Sequence, residues 1–126
     1  MAINLLYVED NAFAVDLMKL YLRRYSEYKL FIETDGQSGW EHTLAHKPDV
    51  ILVDINLPDM TGWDLTRKLR GHPETKHIPV IAITSVNSKR YHEMSMEAGI
   101  NLHLHKGIHY TKILKHIDDL YNQMQV

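Results

Sequence analysis

The chain reads as an α/β protein, a doubly wound five-stranded parallel sheet flanked by five helices, and three observations predict it. Short aliphatic runs alternate with segments of helical period from end to end. The run Val50–Val53 is apolar without a break, as suits a strand buried on both faces of a parallel sheet. No repeat, low-complexity tract or linker interrupts the series. βα units in series with right-handed crossovers give this architecture.

The first strand, Ile3 to Val8, stops at Glu9-Asp10-Asn11, after which Phe13, Leu17, Leu20 and Tyr21 recur at helical spacing with Met18 beside them. The second run, Lys29 to Ile32, leads through Asp35-Gly36 to a helix marked by Trp40 and Leu44. That helix ends near His46, because Pro48 disfavours the helical conformation at Lys47. After the third strand and Asp54, the loop Asn56 to Gly62 opens a helix with Leu65 and Leu69. Gly71, Pro73 and Pro79 punctuate the way to a fourth strand, Val80 to Ile83, which Thr84 and Ser85 end. A fourth helix, Lys89 to Ala98, closes at Gly99, the residue suited to a left-handed position after a helix. A fifth strand, Asn101 to His105, delivers Lys106, and the last helix carries an apolar stripe of Ile113, Ile117, Leu120, Tyr121 and Met124. Trp40 and Trp63 read as packing residues.

Composition narrows the function classes. The 126 residues, 44% of them hydrophobic, suit one domain over 1–126 with a real core and leave no room for a separately folded output domain. With 14 Lys+Arg against 16 Asp+Glu there is no footprint for direct nucleic-acid or anionic-membrane binding, so a protein or small-molecule partner is expected. The lack of cysteine excludes disulfides, thiolate metal sites and thiol nucleophiles and agrees with a reducing compartment. The first residues carry no basic leader and no window is long enough to span a bilayer, so a cytoplasmic location is expected.

Ligands of an open parallel sheet bind outside the carboxyl ends of its strands. Four of those ends are polar: Glu9-Asp10 after the first strand, Asp54 after the third, Thr84 after the fourth and Lys106 after the fifth. Three carboxylates in one cleft repel, and the remedies are a raised pKa or a bound cation. All-oxygen ligands with few protein donors favour Mg²⁺, which keeps waters and shares positions with phosphate oxygens, over a closed Ca²⁺ site. A lysine and a threonine hydroxyl could meet two further phosphoryl oxygens and leave a carboxylate to attack phosphorus. Phosphoryl transfer to an aspartate uses every member. Taken singly, Asp10 or Asn11 could cap the first helix, Thr84 could be a plain strand end and Lys106 a solvated surface charge.

The blocks Val8-Glu9-Asp10-Asn11, Leu52-Val53-Asp54-Ile55-Asn56-Leu57-Pro58-Asp59-Met60-Thr61-Gly62, Ile83-Thr84-Ser85 and Lys106, in this order and at strand ends, resemble the signature of the two-component response-regulator receiver family, of the stand-alone type, over the whole chain. The resemblance implies a flavodoxin-like strand order 2-1-3-4-5. It also implies a phosphoacceptor at Asp54, Mg²⁺ held by Glu9, Asp10, Asp54 and the backbone carbonyl of Asn56, and phosphoryl oxygens bound by Thr84 and Lys106. A histidine kinase or phosphotransfer protein would donate the group, and the domain would be no enzyme beyond its own phosphorylation and dephosphorylation. Thr84 and residue 103 would form the switch that remodels the surface of the fourth helix, fifth strand and fifth helix, with Lys89, Arg90, Tyr91, His103, Tyr110, Lys112 and Lys115. That surface would meet a downstream protein or a second copy.

This sequence departs from the family at three places. Gly107 stands where Pro follows the lysine in a cis bond, and since cis costs about 3 kcal/mol outside proline, a trans Lys106-Gly107 bond is expected. His103 replaces the switch Tyr or Phe, which could make switching pH-sensitive. Glu9 stands where Asp is common. The nine histidines raise a transition-metal alternative at His103, His105 and His109; we read the first two as facing the fourth and fifth helices and His109 as lying near the start of the fifth. Three rival functions remain: a pseudo-receiver that docks without phosphorylation, an Asp-nucleophile Mg²⁺ phosphatase, and an FMN carrier. Asn56 in place of a second aspartate and the lack of a cap insertion count against the phosphatase. The charge of Glu9-Asp10-Asn11 would repel the FMN phosphate.

Overall fold

The alternating segments become β1 (Ile3–Val8), α1 (Ala12–Leu22), β2 (Tyr28–Glu33), α2 (Gly36–His46), β3 (Val50–Val53), α3 (Gly62–Arg70), β4 (Val80–Thr84), α4 (Lys89–Ala98), β5 (Leu102–His105) and α5 (Tyr110–Met124) in the computed structural model, which describes residues 2–125. The strands form one parallel sheet in the order β2-β1-β3-β4-β5. β1 and β3 are therefore central neighbours, and their carboxyl ends lie side by side.

Alternation along the strands divides the core into two layers. Leu5, Tyr7, Leu52, Ile81 and Ile83 face Met18 and Leu22 of α1 and Ile113, Leu114 and Ile117 of α5. Leu6, Val8, Ile51, Val53 and Ala82 face Trp63, Leu65 and Leu69 of α3 and Ala98 of α4. No helix of the described residues is long and apolar enough to cross a membrane.

Local chemistry sets the helix ends. Asn11, Asp35, Thr61 and Ser88 cap α1 to α4 by accepting backbone N–H groups, and Thr61 forms a reciprocal capping box with Asp64. Lys47, held out of the helix by Pro48, is left-handed at φ 46°, and Gly99 ends α4 at φ 98°.

Two expected apolar stripes are corrected. α1 buries Val15, Met18 and Leu22, whereas Phe13 is 68% and Leu20 52% exposed. Asn11 caps the helix at Ala12, and the sheet meets the i, i+3, i+7 row that starts at Val15. In α5, Leu114 joins Ile113 and Ile117, while Met124, in the last turn, is exposed.

Candidate functional site

The sheet order brings the ends of β1, β3, β4 and β5 to one rim. Glu9 continues β1, its N–H donating to Glu33 O at 2.9 Å, and its side chain is fully buried. A buried carboxylate needs partners. Glu9 has three: the Tyr7 hydroxyl donates to Oε1 at 3.2 Å, the Asn11 N–H donates to Oε2 at 3.2 Å, and Lys106 Nζ lies 2.7 Å from Oε1. Asp10 is exposed.

Asp54 follows β3 and donates its N–H to Val8 O at 3.0 Å. Its side chain is 9% exposed. Oδ1 accepts the Asn56 N–H at 3.4 Å and Oδ2 lies 3.4 Å from Lys106 Nζ. Lys106 is brought in by its own N–H, which donates to Thr84 O at 2.8 Å. Carboxylate oxygens of Glu9, Asp10 and Asp54 lie within 4.8 Å of one another. Burial pushes the Asp54 carboxyl up to about 6; Glu9 adds to the rise, and Lys106 and the Asn56 N–H oppose it. Partial burial works against the Lys106 ammonium, but its hydrogen bond to Glu9 and the charges of both carboxylates outweigh that and hold it above its ordinary value. Burial likewise pushes the Tyr7 phenol far up, with Glu9 next in effect.

The loop beside Asp54 is closed by its own backbone. Asn56 pairs with Thr61, and the Gly62 N–H donates to Ile55 O at 2.8 Å. A Cβ on Gly62 would stand 2.6 Å from Asp54 O, so the close approach of α3 to this strand end needs glycine.

Thr84 is fully buried at the end of β4, and its hydroxyl accepts the Val86 N–H at 3.2 Å. His103 lies apart from the acidic cluster and faces α4, with Nδ1 2.7 Å from Ser95 Oγ. The Trp63 indole, itself buried, donates to the same Oγ at 2.9 Å. Indole can only donate, so Ser95 has its own hydrogen free for His103 Nδ1, and the network fits the neutral ring with its proton on Nε2. Burial, and then the nearby His92, lower the imidazole below its ordinary value. His105 meets Ser85 O and the Gly107 N–H, and His109 caps α5, so these three histidines do not gather into a metal site. The described residues contain no cis peptide, and the Lys106-Gly107 bond is trans as expected.

Sequence reasoning missed Tyr7 and Ser95. Tyr7 had a signal, since a residue two before Glu9 shares its strand face. Ser95 had none, because only the docking of α4 between Trp63 and His103 gives it a role.

A family model described as the response regulator receiver domain matches residues 5–118. The polar-differentiation response regulator DivK of Brucella anthropi is 30% identical over 114 residues, 90% of this chain and 92% of DivK. Among solved structures, the signal receiver domain of a signal transduction histidine kinase from Syntrophus aciditrophicus superposes with a TM-score of 0.88 at 27% identity, covering 97% of this chain and 92% of the other. The receiver domain of a sensor histidine kinase from Pseudomonas aeruginosa, solved with a magnesium ion coordinated in its active-site cleft, gives 0.88 at 24% identity, covering 97% and 99%.

Proposed function

We propose, from the premise that this chain belongs to the response regulator receiver domain family of two-component systems, that it is a phosphorylation switch with Asp54 as phosphoacceptor. As a receiver it is a signalling domain rather than an enzyme acting on a separate substrate. The observation that carries the reading is the cluster at the sheet rim: three carboxylates and one ammonium within reach of one another, with the Asp54 carboxyl raised by burial.

Three carboxylates against one lysine leave negative charge uncompensated, and the oxygen-only donor set suits Mg²⁺. Glu9, Asp10, Asp54 and the Asn56 carbonyl would hold it. Bound there, Mg²⁺ would offset the charge on a phosphoryl group and on Asp54.

In the transfer, an Asp54 carboxylate oxygen attacks phosphorus and a P–O bond forms. The bond to the donor, a phosphohistidine nitrogen of a kinase or phosphotransfer protein, breaks, and the electron pair leaves with the imidazole. Lys106 would turn from Glu9 to a phosphoryl oxygen, and the Thr84 hydroxyl would leave the Val86 N–H to donate to another. His103 would follow Thr84 and disturb its contact with Ser95. The face of α4, β5 and α5 would then change shape for a protein partner.

Intact-mass analysis after incubation with acetyl phosphate and Mg²⁺ tests this. One phosphoryl mass gained by the wild type, and by neither Asp54→Asn nor a chelated sample, is expected. One observation favours a second reading, a docking module that is never phosphorylated: Lys106 sits closer to Glu9, at 2.7 Å, than to Asp54, at 3.4 Å. A folded wild type that gains no mass from acetyl phosphate or from a phosphohistidine donor would favour it.

A further inference from the structure

α2 carries His42 and His46 one turn apart, the i, i+4 spacing that sets two imidazoles on one helix face. Their ring centroids lie 4.7 Å apart. Two imidazoles bound to one tetrahedral zinc ion put their centroids roughly 5 Å apart, so the pair stands close to chelating separation.

His42 supplies an independent observation. Its side chain is 10% exposed, Nδ1 lies 3.1 Å from Glu33 Oε2, and Nε2 is buried without a hydrogen-bond partner among the described residues. An ionised carboxylate can only accept, so Glu33 keeps the proton on Nδ1, and the neutral ring then has its lone pair on Nε2. A carboxylate behind a histidine in this way orients metal-binding imidazoles and raises their basicity. A cavity of about 160 Å³ opens here, lined by Asn4, Lys29, Phe31, His42, His46 and Pro48. Both histidines line it, and Glu33 does not.

We propose that His42 Nε2 and His46 hold one divalent transition-metal ion of the zinc class in this cavity. Glu33 is the carboxylate behind His42, and Asn4 and water are left to complete the coordination. Lys29 opposes a cation, but its ammonium rests over the Phe31 ring, 5.4 Å from the centroid. Asn4 stands near the start of β1 and Pro48 just before β3, at the end of the sheet opposite the acidic cluster, so the site is separate from Asp54. Its occupancy would tie α2 to the edge strand β2.

Titration of the full chain with Zn²⁺ alone, in excess Mg²⁺ to occupy the acidic cluster, is read by calorimetry and by the thermal midpoint. One ion per chain and a raised midpoint are expected for the wild type. His46→Gln, at an exposed helix end, should abolish both while its circular dichroism stays that of the wild type, and Glu33→Gln should weaken binding about 10–100-fold. The other close imidazole pair, His92 and His103 at 5.3 Å, is the internal control. Lack of Zn²⁺ binding by the wild type overturns the proposal, as does binding that survives His46→Gln or that is lost instead in His103→Gln.

Discussion

Burial beside Glu9 holds Asp54 at about 6 against an ordinary 3.8, and for an acid that direction means the folded state disfavours the ionised form. Between these two values the folded chain binds more protons than the unfolded one, so stability falls as pH rises through the window and the full penalty stands at pH 7. The penalty is worth about 3 kcal/mol at most. Asp54→Asn removes it, although Lys106 loses a neighbour, and a net gain of about 1–2 kcal/mol is expected in metal-free urea unfolding at pH 7.5. The gain should shrink towards pH 4, and a gain that is the same at both values would reject the linkage. Lys106 has the opposite role. Its removal in Lys106→Ala strands the fully buried Glu9, at a cost of about 3 kcal/mol, and Glu9→Gln in the same chain should recover most of it. A double variant no more stable than the single would show that Glu9 does not depend on Lys106.

At the scale of elements, the contrast between buried and exposed positions of equal hydrophobicity is the sharpest check on the packing. Ile117 in α5 is completely buried, and Ile117→Ala should cost about 3 kcal/mol in chemical denaturation. Met124→Ala, seven residues along the same helix but 46% exposed, should stay within about 0.5 kcal/mol of wild type. Equal losses would mean that α5 packs along its whole length. Gly62→Ala makes the same kind of distinction for backbone. Its methyl would press on Asp54 O, which cannot swing away as a side chain can, so a loss of about 2 kcal/mol is expected, together with slower phosphorylation by acetyl phosphate. Gly71→Ala, whose nearest new contact is 3.4 Å, should change neither.

The whole molecule is one sheet with a core layer on each side, and both tryptophans report on the same layer: Trp63 lies within it and Trp40 packs against it. If the two layers unfold together, tryptophan fluorescence and far-ultraviolet circular dichroism should give coincident urea transitions. They should stay coincident when Leu114→Ala weakens the other layer, and separate midpoints would show the layers to be independent. The same architecture explains what could be read from the chain. The elements whose bounds were read were legible to within a residue or two, because caps such as Asn11 and stops such as Pro48 and Gly99 act over a single turn. Glu9, Asp10, Asp54 and Lys106 were legible as a group because each stands within two residues of a strand end, and a parallel sheet collects strand ends on one rim. The buried face of α1 was not, since Phe13 and Val15 are equally apolar and only the position of the sheet separates them.

By itself the sequence determined the succession of strands and helices along the chain and which charged groups follow the strands, because these follow from backbone preferences acting over a few residues. Only the tertiary structure decided that Lys106 pairs more closely with Glu9 than with Asp54, that Asp54 is raised, that His103 bonds Ser95, and that His42 keeps a buried nitrogen free. These depend on distances between side chains on different elements and on how far packing excludes water from them.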